Sequence, residues 1–146
     1  MSSNPFQSDE FRAIQREHLF RTITFLLEQG LEFAVAAEVQ YMSFDPEIPS
    51  EIRERFAPIS LFVLSNYTFE SATVDEEALY FEAGFGEQDF GSHVTLPLLA
   101  IRQIVVGEYP VAVNIAEPLP SPAPERSMEA LLSNPENLKL LKKKRK

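Results

Sequence analysis

Residues 78–101 read ALYFEAGFGEQDFGSHVTLPLLAI. We interpret residues 78–85 as one strand and residues 93–96 as the start of another, because aromatic, aliphatic and β-branched side chains dominate both segments. The acidic triplet at residues 75–77 is expected to be a solvated turn that joins the first of these strands to an earlier one over residues 67–74.

Three glycines interrupt this region. Gly84 and Gly86 flank Phe85, and Gly91 follows five residues after Gly86. Glycine allows the backbone to bend or lets another chain approach it closely. The segment lacks the third glycine and the lysine of a phosphate-binding loop, and its acidic residues repel phosphate.

An amphipathic helix is predicted over residues 8–30. Ser8 is a suitable N-cap, and Gly30 can adopt the left-handed conformation that ends many helices. Phe20 and Phe25 lie off the main apolar stripe of this helix. A second apolar surface on one helix indicates a second contact, such as a partner subunit.

Further strands are predicted over residues 31–42, 59–64 and 111–115. The second of these is a continuous apolar run and is expected to be buried on both faces. Ser50 is predicted to cap a short helical turn that ends before Pro58, and residues 97–106 are interpreted as a short helix or an irregular turn. The fold class indicated is mainly β: a small, partly open β-barrel or sandwich, preceded by an N-terminal α-helix and followed by a disordered C-terminal tail.

Length and charge narrow the function classes. The chain has 146 residues and no cysteine, which fits one domain and excludes disulfides, thiolate metal sites and cysteine-based catalysis. Residues 1–116 contain 18 acidic residues, six arginines and no lysine, a net charge of −12. Residues 117–146 contain seven basic and four acidic residues, a net charge of +3. Nucleic-acid binding by so acidic a body is disfavoured.

The charge division separates a domain over residues 1–116 from a flexible, proline-rich linker over residues 117–137 and a basic tail over residues 138–146. The tail begins with Leu138, Lys139, Leu140, Leu141 and Lys142. This pattern favours a docking peptide, because a purely electrostatic tail needs no leucines. The alternatives are a solubilising tail or one that binds nucleic acid or an anionic membrane.

Residue types that carry catalysis or bind metals show no diagnostic spacing. His18 and His93 belong to no HxH or HExxH pattern, so we expect structural or surface roles for both. No calcium-loop motif occurs, and a paired-carboxylate hydrolase stays open as an alternative. We therefore predict no catalytic residue, no metal and no cofactor. Short apolar runs and the lack of a signal-peptide pattern in residues 1–7 predict a cytoplasmic protein without a membrane partner.

Several segments resemble, in this order, the SspB family of proteolysis adaptors. They are LLEQGL at residues 26–31, the apolar run at 59–64, VDEEALYFEAGFG at 74–86 and VTLPLLAI at 94–101. The most specific similarity covers residues 78–101, and a looser one covers residues 10–116. The predicted helical insertion at residues 49–58 looks like the alpha-proteobacterial branch. The tail LKLLK also resembles LRVVK, the motif with which the enterobacterial form docks on ClpX.

The resemblance implies a barrel-like β fold behind a helix, a homodimer, and a groove that holds an extended peptide. In the family that peptide is the ssrA degradation tag. By position, the groove residues in this chain would be Leu61, Val63, Ala83, Gly84, Phe85, Gly86, Val94 and Leu96. The residues that dock on a ClpX-type unfoldase would be Leu138, Lys139, Leu140, Leu141 and Lys142.

Two features differ from the family pattern. The loop over residues 87–92 is longer, and Glu87 and Asp89 add negative charge near the place of a tag that is itself acidic. Residues 143–146 add four basic side chains after the docking motif. We hypothesise a non-enzymatic adaptor that captures ssrA-tagged or other degron-bearing proteins and delivers them to ClpXP. The alternatives are a peptide-binding module unrelated to degradation and a tail that binds membranes or nucleic acid.

Overall fold

The computed structural model describes residues 4–87 and 89–118 of the chain. Its helices are α1 (Asp9–Gln29), α2 (Ser50–Arg53) and α3 (Asn66–Ser71). Its strands are β1 (Phe33–Glu38), β2 (Ser43–Asp45), β3 (Ile59–Leu64), β4 (Thr73–Val74), β5 (Ala78–Phe85), β6 (Phe90–Pro97), β7 (Ile101–Val106) and β8 (Tyr109–Val113). Single 3-10 turns cover Pro5–Gln7, Val39–Tyr41 and Leu98–Ala100.

Helix α1 has the two ends that its sequence predicts. The Ser8 hydroxyl accepts a hydrogen bond of 3.1 Å from the N–H of Phe11. Gly30 ends the helix with a left-handed φ of 69°, and the next N–H, of Leu31, donates to the Leu26 carbonyl at 2.9 Å. These local contacts satisfy backbone groups that a helix end otherwise leaves unpaired, so the helix predicted over residues 8–30 is confirmed.

The strands of the described residues form two antiparallel four-stranded sheets. Sheet A has the order β3-β1-β7-β8, and sheet B has the order β2-β6-β5-β4. The sheets are open rather than closed into a barrel, an arrangement consistent with a small sandwich. The broad prediction of antiparallel strands behind an N-terminal helix is confirmed, while the chain is mixed α/β rather than mainly β, with α3 in place of a predicted strand.

One cluster of buried side chains joins the two sheets and α1. Its largest fully buried members are Leu19 and Ile23 of α1, Val35, Leu64, Ile101 and Ile104 of sheet A, and Leu79, Val94 and Leu96 of sheet B. Burying a branched apolar side chain contributes about 1.5–3 kcal/mol to stability. The core therefore fixes the position of sheet B, whose outward surface carries the site described below.

The strand predicted over residues 67–74 is wrong for most of its length. Asn66–Ser71 form α3, and only Thr73–Val74 are extended. Asn66 has a left-handed φ of 52°, and its N–H donates a hydrogen bond of 2.8 Å to Glu32, 34 positions earlier in the chain. This distant contact starts a helix in a segment whose aromatic and β-branched residues favour a strand.

The prediction for residues 97–106 is also corrected. A 3-10 turn at Leu98–Ala100 is followed by β7, which pairs with β1 on one side and β8 on the other. The predicted capping role of Ser50 is wrong as well, because α2 begins after Pro49 and has no side-chain cap. The turn over residues 75–77 is confirmed, because Asp75 Oδ1 accepts hydrogen bonds from the N–H groups of Glu77 and Ala78.

Strand β3 is buried on one face only, not on both. Phe62 and Leu64 lie in the core, whereas Ile59, Leu61 and Val63 point outward and are 51%, 60% and 62% exposed. β3 is an edge strand of sheet A and pairs with β1 alone. The continuous apolar run therefore reflects one core face and one uncovered face.

The predicted linker over residues 117–137 lies outside the described residues except for Glu117 and Pro118, and the predicted tail over residues 138–146 lies outside them entirely. Within the described part of the chain, no helix is long and apolar enough to cross a membrane.

Candidate peptide-binding site

A cavity of about 680 Å³ lies on the surface of sheet B, between the β5–β6 hairpin and α3. We call it the glycine cleft. Its lining residues are Pro46, Ser65, Asn66, Tyr67, Thr68, Glu82, Ala83, Gly84, Asp89, Gly91, Ser92 and His93. Its volume falls within the usual range of ligand pockets, roughly 300–1,000 Å³.

Two glycines form the floor of the cleft. Gly84 of β5 and Gly91 of β6 are directly opposite each other in the antiparallel ladder. A methyl group added at Gly84 would lie 1.7 Å from Oδ1 of Asp89, whereas one added at Gly91 would meet nothing within 4 Å. The missing side chain at Gly84 thus leaves room for the Asp89 carboxylate, and the missing side chain at Gly91 leaves open space above the sheet.

Strand β5 has a partly free edge beside this floor. β4 pairs only with Leu79 and Tyr80, at the beginning of β5. Further along, the N–H of Glu82 donates a hydrogen bond of 2.9 Å to the hydroxyl of Ser71 in α3, on the side away from β6. Because backbone groups alternate along a strand, the N–H and C=O of Gly84 also point away from β6. A free edge of this kind can pair with an extended chain.

Three polar side chains form a hydrogen-bonded wall of the cleft. The Tyr67 hydroxyl donates to Oε1 of Glu82 at 2.5 Å, and Oε2 of Glu82 lies 3.4 Å from Nε2 of His93. The hydrogen bond to Glu82 and the negative charge of that carboxylate raise the pKa of the Tyr67 hydroxyl above its usual value. Tyr67 therefore remains a neutral donor at physiological pH.

The opposite wall is fixed by a side chain that is buried. Ser92 of β6 donates a hydrogen bond of 2.7 Å from its hydroxyl to the carbonyl oxygen of Pro46. This contact joins the segment after β2 to the floor strand, so both walls are tied to sheet B. A site held by regular elements in this way is pre-formed, which lowers the entropic cost of binding a ligand.

The charge of the cleft comes from carboxylates. Glu82 and Asp89 line it, and among the described residues that line it there is neither lysine nor arginine. His93 is exposed and lies next to Glu82. The surface offers backbone groups, a phenol and two carboxylates, which suits the binding of an extended polar chain with hydrogen-bond donors.

The structure brings only part of the predicted groove together. Ala83 and Gly84 line the cleft. Gly86 forms the following turn with a left-handed φ of 77°, and a methyl group there would approach Cδ1 of Ile52 to 2.9 Å. Glycine at position 86 is therefore required by the turn and by the packing of α2 against it.

The other predicted groove residues lie elsewhere. Phe85 is buried and packs edge-on against Phe44 and Phe56. Val94 and Leu96 belong to the core, with 1% and 0% exposure, so their side chains are closed to a surface ligand. Leu61 and Val63 lie on the outward face of sheet A and are absent from the cleft lining. The predicted docking residues Leu138, Lys139, Leu140, Leu141 and Lys142 lie outside the described residues.

Sequence reasoning missed the two residues that form the polar wall with Glu82. The sequence pattern predicts a strand at Tyr67 and only a structural or surface role for His93. The signal available was Ser65-Asn66, a pair typical of a helix start, directly before Tyr67. The register that places His93 opposite Glu82 follows from the whole β5–β6 pairing and is not a local property of either residue.

In residues 4–87 and 89–118, no group of three or more histidine and carboxylate side chains is placed to hold a metal ion. No family model matches the chain, and no curated protein matches it in sequence.

Proposed function

We propose that this chain is a proteolysis adaptor of the SspB type, which holds an extended degron peptide in the glycine cleft and delivers the attached protein to a ClpX-type unfoldase. The observation that carries the proposal is the glycine floor beside the free edge of β5. The open space over Gly91 lets a peptide backbone approach, and the free part of the β5 edge, at Gly84, offers it hydrogen-bond partners. The helix followed by two antiparallel sheets supports the same proposal.

The peptide would bind as an added strand. Tyr67, Glu82 and His93 in one wall and Ser92 in the opposite wall provide groups for alternate peptide side chains and backbone amides. Backbone pairing supplies affinity that depends little on sequence, while the walls supply selectivity. Such a site suits a short tag that is the same on many different proteins.

Helix α1 carries the surface that we assign to a homodimer. Ile14 and Phe25 are 58% and 56% exposed, and they lie on one stripe of the helix together with His18 and Arg21. The buried stripe of the helix, which includes Leu19 and Ile23, faces the core. Two large apolar side chains on a solvent-facing helix stripe favour a contact with a second copy.

The tail would connect the body to the unfoldase. In this proposal residues 138–142 dock on the unfoldase, and the preceding linker keeps the bound cargo nearby. A tether of this length raises the local concentration of cargo at the docking site to roughly the millimolar range. The adaptor would therefore act by proximity, without chemistry of its own.

The test separates docking from peptide binding in the full chain. We expect the wild type to accelerate degradation of an ssrA-tagged substrate by ClpXP. Replacing Leu138, Leu140 and Leu141 by serine should abolish that acceleration and leave the affinity for an ssrA-type peptide, measured by calorimetry, unchanged. Replacing Lys143 and Lys144 by serine is the matched control and should keep most of the acceleration. Equal acceleration by the leucine variant would overturn the tethering proposal.

The carboxylates of the cleft favour one second candidate, a module that binds extended basic peptides unrelated to degradation. Glu82 and Asp89 would repel an acidic tag and attract a basic one. Two peptides of equal length, an ssrA-type sequence and a version in which lysines replace its acidic residues, distinguish the candidates by calorimetry. Binding of the lysine peptide alone would favour the second candidate.

A further inference from the structure

The two sheets differ in the chemistry of their outward faces. On sheet B the outward positions include Glu82, His93 and Thr95, as expected of an antiparallel sheet that faces water. On sheet A, Tyr109 and Pro110 of β8 are exposed, and so are six branched apolar side chains in or just after the sheet: Ile59, Leu61, Val63, Val111, Val113 and Ile115. We call these six residues the apolar face.

The strand register makes the apolar face continuous. One row across sheet A contains Val63, Ala34, Val105 and Pro110, which are successive partners on β3, β1, β7 and β8. The next row contains Leu61, Ala36, Gln103 and Val113. The first row is apolar from one edge of the sheet to the other and joins the exposed residues of β3 and β8 into one patch, whereas Gln103 interrupts the second row.

The size of the patch fits a short segment better than a second copy. Full burial of such a side chain removes on the order of 100 Å² of apolar surface, so six half-exposed side chains offer about 300 Å². A standard protein interface buries about 800 Å² on each partner. Three apolar side chains from a short peptide would match the available area.

The chain itself provides such a segment. Residues 127–132 read SMEALL, in which Met128, Leu131 and Leu132 have the i, i+3, i+4 spacing of one helix face. Ser127 is a preferred N-cap residue, and Glu129 lies where a helix dipole favours negative charge. The sequence therefore predicts one short amphipathic turn with three apolar side chains on one side.

The exit point of the chain leaves this segment within reach of the patch, while Pro118 itself lies beside Arg16, Tyr41 and Leu99. Val113 and Ile115 belong to the apolar face, and the described chain reaches Pro118 three residues after Ile115. In the extended geometry that prolines 118, 120, 122 and 124 favour, residues 118–127 span about 28 Å. The distance from β8 to β3 across three strand spacings is about 14 Å. The segment can thus reach every position on the face.

We propose that residues 127–132 of the same chain dock on the apolar face of sheet A through Met128, Leu131 and Leu132. The intramolecular connection provides an effective concentration of roughly millimolar, which compensates for the small area. Docking there covers Leu61 and Val63 of β3 and leaves residues 138–146 to extend from the far end of the segment. This proposal does not depend on the function proposed above.

Spin-label broadening in the full chain tests the proposal. The chain has no cysteine, so Ser133→Cys provides one labelling site for a nitroxide next to the segment. In methyl NMR spectra we expect the signals of Leu61, Val63 and Val113 to be lost, while that of Thr95 on sheet B persists. The double substitution Leu131→Ser and Leu132→Ser should restore the lost signals, whereas Leu140→Ser with Leu141→Ser, the matched control, should not.

Two results would overturn the proposal. The first is no loss of the Leu61 and Val63 signals in the labelled chain. The second concerns a mixture in which an isotope-labelled chain that carries the nitroxide is diluted with excess unlabelled chain that carries none. If the signals return in this mixture, the nitroxide acts from a second copy and not from the same chain.

Discussion

Gly84 and Gly91 are cross-strand partners on the floor of the cleft, yet only Gly91 has room for a side chain. The Asp89 carboxylate occupies the space where a Cβ of Gly84 would lie. Two residues of the same type, in register with each other, therefore have different physical roles. One accommodates a neighbouring loop, and the other keeps the surface open.

This asymmetry predicts different effects of two alanine substitutions. Gly84→Ala forces the exposed Asp89 carboxylate to move and should lower the unfolding free energy by about 1 kcal/mol, the low end of the cost of overpacking, because an exposed side chain can rotate away. Gly91→Ala should change stability by less than about 1 kcal/mol, because nothing lies within 4 Å of the added methyl group. Urea unfolding of both variants measures the difference.

A double variant checks the physical cause. Asp89→Ala removes the carboxylate that the new methyl group meets, so Gly84→Ala should cost little stability in an Asp89→Ala background, separately from the cost of alanine at the left-handed φ of 56° of residue 89. Equal costs for Gly84→Ala with and without Asp89→Ala would contradict the steric explanation.

Tyr67→Phe tests the polar wall of the cleft. The variant removes the hydroxyl that donates to Glu82, and both groups are exposed, so stability should change by less than about 0.5 kcal/mol. Peptide affinity should fall roughly two- to tenfold, corresponding to one lost hydrogen bond. Tyr80→Phe is the matched control, because the Tyr80 hydroxyl bonds to Asp75 outside the cleft lining. If the Tyr67→Phe variant binds the peptide as tightly as the wild type in calorimetry, Tyr67 does not belong to the site.

Asn114 is expected to be the most sensitive buried polar residue in the described chain. Its amide nitrogen donates to the carbonyl oxygens of Leu99, Ile101 and Ala116, and its Oδ1 accepts the N–H of Ala116. Asn114→Ala leaves these groups unpaired and should cost about 2–4 kcal/mol in urea unfolding. Gln40→Ala, which affects an exposed amide, should cost less than about 0.5 kcal/mol. Similar costs for the two variants would contradict this account.

The hydrogen bonds of Asp75 lead us to expect that the stability of the fold depends on pH. Its carboxylate accepts the N–H groups of Glu77 and Ala78 and the Tyr80 hydroxyl, which lowers its pKa below 3.8. A carboxyl group with a lower pKa in the folded state stabilises the fold above its unfolded pKa and loses that contribution as the pH falls. Thermal unfolding should show a decrease in stability below about pH 4 that Asp75→Asn makes smaller. If stability falls with pH as steeply in Asp75→Asn as in the wild type, other carboxylates cause the decrease.

The sequence predicts α1 well because the signals at its ends are local. Ser8 lies three residues from the N–H that it caps, and Gly30 adopts its left-handed conformation without help from distant residues. β5 is likewise predicted with its observed limits, because the turn before it depends on Asp75 and nearby amides. Elements whose ends are fixed by neighbours along the chain are those that can be predicted.

The errors occur where distant contacts decide the conformation. α3 starts where Glu32 accepts the N–H of Asn66, and no pattern around Asn66 reveals that partner. The register shift of β1 between Ala36 and Ala37 affects its pairing with β7, whose sequence IRQIVV lacks clean alternation. The uncovered face of β3 has the same composition as a strand buried on both sides, so exposure cannot be inferred from that run.

For the site, the glycines of the hairpin were identifiable from sequence, and their geometry was not. Ala83 and Gly84 fall in the cleft as the predicted groove required, whereas Val94 and Leu96 alternate into the core. Successive side chains of a strand point to opposite faces of the sheet. A site predicted as a continuous range of strand residues therefore includes core positions as well as surface positions.

Amide hydrogen exchange at Gly84 tests the central claim, peptide pairing along the free edge of β5, most directly. With saturating ssrA-type peptide, the account predicts strongly slowed exchange of the Gly84 N–H, because the peptide supplies an acceptor on the side away from β6. The Ala83 N–H, which points towards β6 by strand alternation, should change little. Peptide binding that leaves the exchange of Gly84 unchanged would contradict the account.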